Sequence, residues 1–453
     1  ISATDGDFAF TRLPLANAGN GFVRVETCAY VDGCEHSREW TVITLPKMMR
    51  LQAEDDFGVL SWRPMNCHPQ LSVSYTNAMR ELGQNVDFCG DGYTLTENGM
   101  PAAGYIERLG EFYDMGHNEK GIRPHCPSNP EVHKQIVEKV RKSAENQKPY
   151  GFLGVGLADE GVLANDRRIT EFCRCEHCLA GYRKWLRERY TSLKNLNAQW
   201  ESAWDDWDKI TPVLSADIRK RENFGEFIDF RTYMTDVWIG ACRLASDTYH
   251  AVDPEARIGM TNTFGASPFG GNDYWKYATK AGFGWMQEYS EAFKNSGFTA
   301  LFEIWRSFTD RNFLNYGWIG YWHRNECAAY EPWWLALHGS RGVSYFSTNS
   351  FDAERQTSWA LIHADQSRTA FGTAVANSIK DLRRGVGKLL MDYERLEPTV
   401  GILWSYPSML VSWCESQATQ PVPQEGVDAD SYGSFFRAAF DFRHHIDDLQ
   451  LDS

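Results

Sequence analysis

Short apolar runs alternate with segments of helical periodicity along most of this chain. The first strand run begins at Phe57, and a later apolar strand run, KPYGFLGVGLADEG, ends at the pair Asp159 and Glu160. Strands that alternate with helices are typical of βαβ units and a parallel sheet. The predicted elements before Asp159 are, in order, strand FGVLSW, helix LSVSYTNAMRELG, strand NVDFCGDGY, helix PEVHKQIVEKVRKSA and the KPYGFLGVGLADEG strand.

The same alternation continues through the second half. A strand run ends at Glu288 and Tyr289. Six or seven strand-helix units over about 300 residues favour a (β/α)8 TIM barrel. An open doubly wound sheet is disfavoured because no glycine-rich phosphate loop follows the first strand. The predicted elements after Glu160 are helix CLAGYRKWLRERY, a helix from about 224 to 250, strands ARIGMTNTFG and FGWMQEYS, helix FTALFEIWRSF, strand FLNYGWIGYW, helix YEPWWLALHGS and strand GVSYFSTNS.

The pattern also predicts three regions of the chain. Residues 1–50 do not follow the alternation and form an N-terminal accessory segment. Residues 51–395 form the (β/α)8 barrel and carry a cysteine loop. Residues 396–453, which contain TVGILWSYPSML, begin a second α/β domain.

The composition excludes some classes of binding partner. The net charge of -14 and the pI of about 5.4 argue against nucleic acid and anionic membranes, which select basic surfaces. No apolar run approaches the roughly 18 residues that span a bilayer, and no secretion signal precedes the first strand, so no membrane partner is predicted. Aromatic residues reach 14%, which suits either rings that stack on sugars or a large aromatic core.

Four of the eleven cysteines are spaced like the ligands of a metal. The run FCRCEHC contains Cys173, Cys175 and Cys178, and the segment RPHCPSNP supplies Cys126. A C-x-C-x2-C run gathers three thiolates on one loop, and a fourth completes a tetrahedral Zn²⁺ shell. Such a closed shell is structural, since it leaves no position for water or substrate.

Other interpretations of these cysteines stay open. They could be reduced bystanders or form disulfides, and His125 and His177 are alternative ligands. The seven remaining cysteines show no disulfide framework, which suits a reducing compartment. The sequence leaves localisation undecided between cytoplasm and periplasm.

Several segments resemble glycoside hydrolase family 42, the clan A β-galactosidases. They are RPHCPSNPEVHKQIVEKVRKSA, the strand that ends at Glu160, CRCEHCLAGYRKWLRERYTSLKNLNAQW and LALHGSRGVSYFS. The resemblance extends over about residues 57–440 and leaves room for a sister family with another sugar preference. It implies a retaining exo-β-glycosidase that acts on terminal β-linked sugars of oligosaccharides. It also implies the zinc loop, a trimerisation-type domain that GILWSYPSML resembles, and a homotrimer.

Glycoside cleavage requires two carboxylates, one to protonate the leaving oxygen and one to attack the anomeric carbon or activate water. Glu160, at the end of an apolar strand, is the predicted acid/base. Asp159 stands where the family has Asn, whose amide holds the sugar. An ionised Asp159 can accept a hydrogen bond but cannot donate one. Asp159 is therefore predicted to bind the substrate, with a sugar preference that differs from that of the family. Both residues could instead cap the following loop or bind a basic side chain.

The second carboxylate is harder to assign. The resemblance expects it at the end of the seventh strand, FLNYGWIGYW, where Gly320 and Tyr321 stand instead. Glu288, at a strand end beside a tyrosine, is the predicted nucleophile. Glu303, on an amphipathic helix, and Glu326, in the loop HRNEC, are the alternatives.

Further residues are predicted to shape a sugar site. The resemblance assigns Arg123 to the pocket, where its guanidinium would bind hydroxyls. Trp318, Tyr321 and Trp322 crowd the end of the seventh strand and could stack on a hexose or simply pack the rim. Asp352 and Glu354 resemble an acidic group that holds outer hydroxyls. Because the seventh strand lacks its Glu, a non-hydrolytic carbohydrate-binding barrel that keeps the scaffold and zinc is the alternative function.

Overall fold

The structure is a computed structural model, and its first described element is an antiparallel hairpin. Strands β1 (Phe22–Val31) and β2 (Cys34–Thr44) are joined by Asp32 and Gly33, whose φ values are 50° and 80°. Two positive φ values in a two-residue Asp-Gly loop match the right-handed twist of a hairpin. The described residues are 22–44, 56–62, 72–88, 102–106, 121–164, 171–263, 270–290, 297–320, 325–349, 360–363, 365–394, 396, 399–401 and 403–417.

Eight parallel strands form the main sheet. Their spatial order is β3-β10-β9-β8-β7-β6-β5-β4, and a parallel bridge between Trp62 and Phe88 joins the two end strands. The sheet therefore closes into a barrel, which confirms the predicted (β/α)8 TIM fold. The strands are β3 (Gly58–Ser61), β4 (Asp87–Phe88), β5 (Ala102–Tyr105), β6 (Val155–Asp159), β7 (Ile258–Thr263), β8 (Trp285–Tyr289), β9 (Leu314–Ile319) and β10 (Gly342–Tyr345).

Helices follow most of the strands and cover the barrel. Among the described residues, no helix combines the length and apolar character needed to cross a lipid bilayer. The helices are α1 (Ser72–Glu81), α2 (Pro130–Gln147), α3 (Glu176–Tyr190), α4 (Leu193–Trp200), α5 (Gly225–Val252), α6 (Tyr274–Thr279), α7 (Gly297–Phe308), α8 (Asn325–Leu337), α9 (Ala370–Asp381), α10 (Gly387–Asp392) and α11 (Tyr406–Gln417).

Helix α2 shows how the sequence specifies this outer layer. Asn129 caps it by accepting the backbone N–H of Glu131, and Pro130 occupies the first turn, where its missing N–H costs nothing. Its buried positions recur every four residues and face the barrel. The apolar ones are Val132, Ile136, Val140 and Ala144, and Gln147 is buried at the end of the helix.

Large rings fill the barrel interior. Trp285 and Tyr316 lie with ring centroids 4.9 Å apart in a cluster of side chains from β3, β4, β5, β8 and β9. Neighbouring glycines leave the space that these rings need. A Cβ atom at Gly154 would lie 2.2 Å from the Trp285 ring, and one at Gly58 would lie 1.7 Å from the Tyr316 hydroxyl. The interior below the mouth is thus a packed core.

The alternation of side chains along β8 decides which groups face the barrel interior. Trp285 belongs to the interior cluster, whereas Met286 packs in the cluster that includes the surrounding helices. Because successive strand residues point to opposite faces, Gln287 and Tyr289 face the interior and Glu288 faces the helices.

The predicted division into three regions stays a prediction. Residues 1–21, 45–50 and 418–453 lie outside the described residues, so most of both terminal regions cannot be compared with it. In the C-terminal region α11 packs against the barrel, where Trp413 stacks on Phe227 of α5 with ring centroids 5.5 Å apart.

Candidate active site and cysteine cluster

Glu160 lies directly after β6, at the carboxyl end of the barrel. Its backbone N–H donates to the carbonyl of Thr261 on β7 at 2.8 Å. Its φ of 54° is in the left-handed region, which non-glycine residues seldom adopt. Such backbone strain is concentrated at functional sites. Asp32, Thr191, Glu201 and Gln366 also have a positive φ, so the assignment of Glu160 as acid/base stays a prediction.

Tyr289 is the direct partner of the Glu160 carboxylate. Its hydroxyl donates a hydrogen bond to Glu160 Oε1. The Tyr289 ring in turn meets Trp318 edge-on at a centroid distance of 4.7 Å. Strand ends of β6, β8 and β9 thus bring Glu160, Tyr289 and the predicted Trp318 together.

An aromatic collar continues from Trp318 around the barrel mouth. The ring centroids of Phe346 and Trp318 are 5.5 Å apart. Trp62 stacks on Phe88 with ring centroids 4.4 Å apart, and the Tyr105 centroid lies 5.9 Å from that of Trp62. Flat rings can stack on the apolar face of a sugar. The sequence analysis missed Trp62, Tyr105 and Phe346, although each stands at or just after a strand end, a signal that could have found them.

Two other residues predicted to bind the substrate are among those that the structure describes: Asp159, which precedes Glu160, and Arg123, which lies beside the cysteines. Asp159 is half-buried and lies 3.5 Å from the Thr261 hydroxyl, which donates to it. Arg123 is buried, and its backbone N–H donates to Cys173 Sγ at 3.4 Å. Tyr321, Trp322, Asp352 and Glu354 lie outside the described residues.

Glu288 is held in the layer between the barrel and the helices. Its side chain is fully buried, and Trp305 Nε1 of α7 donates to its Oε1 at 2.9 Å. Tyr289, the next residue, points to the opposite face of β8 and bonds Glu160. The structure therefore does not bring Glu288 together with Glu160 on one face.

The two alternative nucleophiles lie on helices. Glu303 on α7 accepts from Arg306 Nε at 2.7 Å and contacts His338 Nδ1 at 2.9 Å, so it belongs to a surface ion-pair group. Glu326 is the second residue of α8. At the predicted nucleophile position, a Cβ added to Gly320 would lie 2.5 Å from the Trp318 ring. A side chain there requires Trp318 to move.

A buried carboxylate near these strand ends, Glu331, was not among the predicted site residues. Glu331 of α8 has no exposed surface, and the Ser290 hydroxyl lies 3.2 Å from its Oε1. The same hydroxyl donates to the Trp318 carbonyl at 2.7 Å. Glu331 thus lies behind the strand ends that carry Tyr289 and Trp318. The helical pattern of YEPWWLALHGS carries no signal that would have marked it.

The four predicted cysteines form one compact cluster. All four Sγ atoms lie within 4.8 Å of one another, and the Cys126–Cys178 and Cys126–Cys175 pairs are 3.1 and 3.7 Å apart. Tetrahedral Zn–S bonds of about 2.3 Å place sulfurs about 3.8 Å apart. The donor set therefore fits a four-coordinate metal ion.

Electrostatics also favours a cation at this cluster. Hydrogen bonding with Cys173 raises the pKa of the Cys126 thiol, and hydrogen bonding with Cys126 raises that of Cys178. The Cys126 contact lowers the pKa of Cys175. Four buried thiols in contact therefore cannot all ionise unaided, whereas a dication would hold them as thiolates.

The cluster ties together two segments near β6. Cys126 belongs to the segment that leads into α2. Cys173 and the N-cap residue Cys175 precede α3, and Cys178 lies in its first turn. The backbone bond from Arg174 N to the Gly121 carbonyl, 2.8 Å long, joins the same two segments. The cysteines thus stabilise the chain on either side of the strand that ends at Glu160.

Fold and site together define a (β/α)8-barrel protein with a strand-end carboxyl group and a four-cysteine cluster. The sequence profile of glycoside hydrolase family 42, described as beta-galactosidase, matches residues 111–384. This match covers more than half of the chain, so the chain belongs to that family.

Individual members of the family share little sequence identity with this chain. Beta-galactosidase BgaB of Geobacillus sp. (strain Y412MC61) is 27% identical over 169 residues, which are 36% of this chain and 23% of that protein. The crystal structure of beta-galactosidase from the psychrophilic Marinomonas ef1 has a TM-score of 0.61 at 15% identity, covering 80% of this chain and 65% of that one. The structure from Bacillus circulans sp. alkalophilus has a TM-score of 0.58 at 16% identity, covering 81% and 64%. The matches thus span about a quarter of the curated relative and less than two thirds of the solved chains.

Proposed function

We propose that this protein is a retaining exo-β-glycosidase that releases terminal β-linked sugars, most favourably β-galactosides, from oligosaccharides. The observation that carries the proposal is the Glu160 carboxyl group, which lies at a barrel strand end with a Tyr289 hydrogen bond and an aromatic collar nearby. Family membership supports the same reaction class.

In this proposal Glu160 acts as general acid and then as general base. It gives its proton to the leaving glycosidic oxygen, and in the second half it takes a proton from the attacking water. Tyr289 fixes the carboxyl orientation through its hydroxyl. The collar rings exclude water and stack on the sugar, while the Asp159 carboxylate accepts a hydrogen bond from a sugar hydroxyl.

The second carboxylate of the reaction stays a prediction. Glu288 was assigned to it from the sequence, but its bond with Trp305 in the outer layer supports a packing role. A 2-fluoro sugar with a good leaving group traps the covalent glycosyl-enzyme of a retaining reaction. Peptide mapping of the trapped protein would identify the nucleophile.

The test of the main proposal is a panel of aryl β-glycosides. We expect release of the aryl group from at least one β-glycoside, with β-galactoside the best, and a loss of release in Glu160→Ala. NMR of the first-formed sugar should show the β anomer, because the retaining mechanism inverts the centre twice. No release from any sugar by the native protein would rule out the hydrolase.

A second candidate is a carbohydrate-binding barrel without hydrolysis. Two observations favour it: Gly320 stands at the predicted nucleophile position, and Glu288 faces the helices. Calorimetric binding of a β-galactoside, with no turnover over days and no trapped intermediate, would establish this alternative.

We further propose that the cysteine cluster holds a structural Zn²⁺. The ligands would be Cys126, Cys173, Cys175 and Cys178, and their closed shell leaves no site for chemistry on the ion. The fit of four mutually close, buried Sγ atoms supports this assignment. The metal content of the purified protein, measured by mass spectrometry, should be one zinc per chain. The homotrimer implied by the family resemblance also stays a prediction, and light scattering would test it.

A further inference from the structure

Ser128 lies between the two segments that carry the cysteine cluster. It stands two residues after Cys126 and directly before Asn129, the N-cap of α2. Its backbone N–H donates to Cys126 Sγ at 3.4 Å, and its hydroxyl oxygen lies 3.3 Å from Cys178 Sγ of α3. A residue outside the cysteines therefore contacts one sulfur from each segment.

The Ser128 hydroxyl can pair with Cys178 whether or not that sulfur carries a proton. In the structure the Cys178 thiol donates to the Ser128 oxygen. A thiolate has no proton to donate, whereas a hydroxyl both donates and accepts. Once Cys178 is ionised, the same contact is kept because the Ser128 hydroxyl donates to the sulfur.

A four-thiolate shell needs such donors. Four thiolates around one divalent ion keep a net negative charge, and Cys126, Cys173 and Cys178 are buried. Burial of charge is costly unless hydrogen bonds compensate for the lost water. Cys126 and Cys173 accept bonds from the backbone N–H groups of Ser128 and Arg123, each at 3.4 Å. The donor available to Cys178 from Ser128 is a side-chain hydroxyl, which a substitution can remove.

Tyr233 of helix α5 brings a second hydroxyl to Ser128. The Tyr233 side chain is only 7% exposed, and its hydroxyl interacts with the side chain of Ser128. Gly181 of α3 leaves room for that hydroxyl, since a Cβ atom added there would lie 2.1 Å from it. Tyr233 thus limits the orientations open to the Ser128 hydroxyl beside Cys178.

We propose that Ser128 is a positioning residue of the metal cluster. Its N–H and its hydroxyl fix the sulfurs of Cys126 and Cys178, and Tyr233 fixes the hydroxyl. The inference rests on the zinc assignment proposed above and is independent of glycoside cleavage. Hydrogen-bond partners of metal ligands orient those ligands, and their loss typically costs about 10–100-fold in metal affinity.

Competition between the protein and a chromophoric chelator for Zn²⁺ tests the proposal. Ser128→Ala keeps the backbone N–H and loses the hydroxyl, so we expect it to bind Zn²⁺ about tenfold or more weakly than the native protein. Ser128→Thr keeps a hydroxyl and should restore most of the affinity. The absorption of the Co²⁺-loaded protein is a second readout, because its thiolate-to-metal band should shift in Ser128→Ala and return in Ser128→Thr.

A double-mutant cycle separates positioning from a general loosening of the fold. Tyr233→Phe should weaken Zn²⁺ binding less than Ser128→Ala does, and it should add nothing in the double variant, because both changes act through one hydroxyl. Tyr249→Phe is the matched control. It also removes a buried hydroxyl from α5, one that donates to Gln147 at 2.9 Å, and it should bind Zn²⁺ like the native protein.

The outcomes distinguish this inference from the zinc assignment. Native Zn²⁺ affinity and a native Co²⁺ spectrum in Ser128→Ala would overturn the role of Ser128 and leave the zinc assignment standing. A native protein that binds neither ion would overturn both. Additive losses in the double variant would overturn the link through Tyr233. Circular dichroism verifies that each variant is folded. If Ser128→Ala is unfolded, the comparison of Tyr233→Phe with Tyr249→Phe decides, and equal affinities overturn the proposal.

Discussion

The end of β6 and the ends of β8 and β9 form two sides of one barrel mouth, yet they differ in the side chains that could take part in catalysis. On the β6 side, Glu160 is in a left-handed conformation and accepts a hydrogen bond from Tyr289, with the cysteine cluster close by in the chain. On the other side, Glu288 turns to the helices and Gly320 follows β9. One side thus carries the carboxyl group that we propose as the proton donor, whereas the other presents rings and a tyrosine.

The largest effect should come from the β6 side. Glu160→Ala removes the proposed proton donor, so we expect hydrolysis of an alkyl β-galactoside to fall by about 10²–10⁴-fold. Glu303→Ala, which removes a carboxylate of the surface ion-pair group, should keep native turnover. Steady-state kinetics of both variants would measure this contrast, and equal losses would remove the special role of Glu160.

Loss of the cysteine cluster should be the next largest effect. Cys178→Ser removes one of four ligands, and we expect the free energy of unfolding to fall by about 3 kcal/mol or more, together with loss of the bound metal. Cys242→Ala, at a buried cysteine outside the cluster, should cost about 1 kcal/mol and leave the metal content unchanged. Denaturant unfolding with metal analysis distinguishes the two. A native metal content in Cys178→Ser would contradict the cluster assignment.

A smaller effect tests the opposite side of the mouth. Trp305→Phe leaves the buried Glu288 carboxylate without its indole donor, which should lower the free energy of unfolding by about 1–3 kcal/mol. In Glu288→Gln the amide oxygen can still accept that bond, so stability and turnover should both stay near native. A folded Glu288→Gln protein that loses about four orders of magnitude in turnover would instead identify Glu288 as the nucleophile.

The smallest effect concerns the link between the two sides. Tyr289→Phe deletes the hydroxyl that donates to Glu160, which we expect to lower kcat about tenfold, the worth of one hydrogen bond to a charged group. KM should change little, since the ring and its contact with Trp318 are retained. A change confined to KM would show that Tyr289 binds the sugar and does not orient Glu160.

These contrasts also explain what could be predicted from the sequence. The strand that ends at Glu160 and the C-x-C-x2-C spacing are both local signals. The structure has a strand that ends at Asp159, and it brings the cysteines of that spacing together in one cluster. The barrel follows from repeated strand and helix patterns, although β5 was missed because AAGY is short and weakly apolar.

The β8 side depends on a signal that is easily misjudged. WMQEYS identifies a strand end, but the facing of Glu288 and Tyr289 depends on which residue starts the interior row, and a shift of one residue exchanges them. Trp285 fixes that row only once Tyr316 and the glycines around it are known in space. Partners such as Trp305 and Glu331 come from distant helices and carry no local motif.

The most direct test of the central claim, that Glu160 protonates the leaving group, compares two substrates in Glu160→Ala. An alkyl β-galactoside needs a proton on its departing oxygen, whereas a 2,4-dinitrophenyl β-galactoside leaves without one. The account predicts that cleavage of the alkyl glycoside falls by at least about 100-fold, while the first step on the dinitrophenyl substrate stays close to native and azide accelerates release. Equal losses on both substrates, with no azide effect, would contradict it.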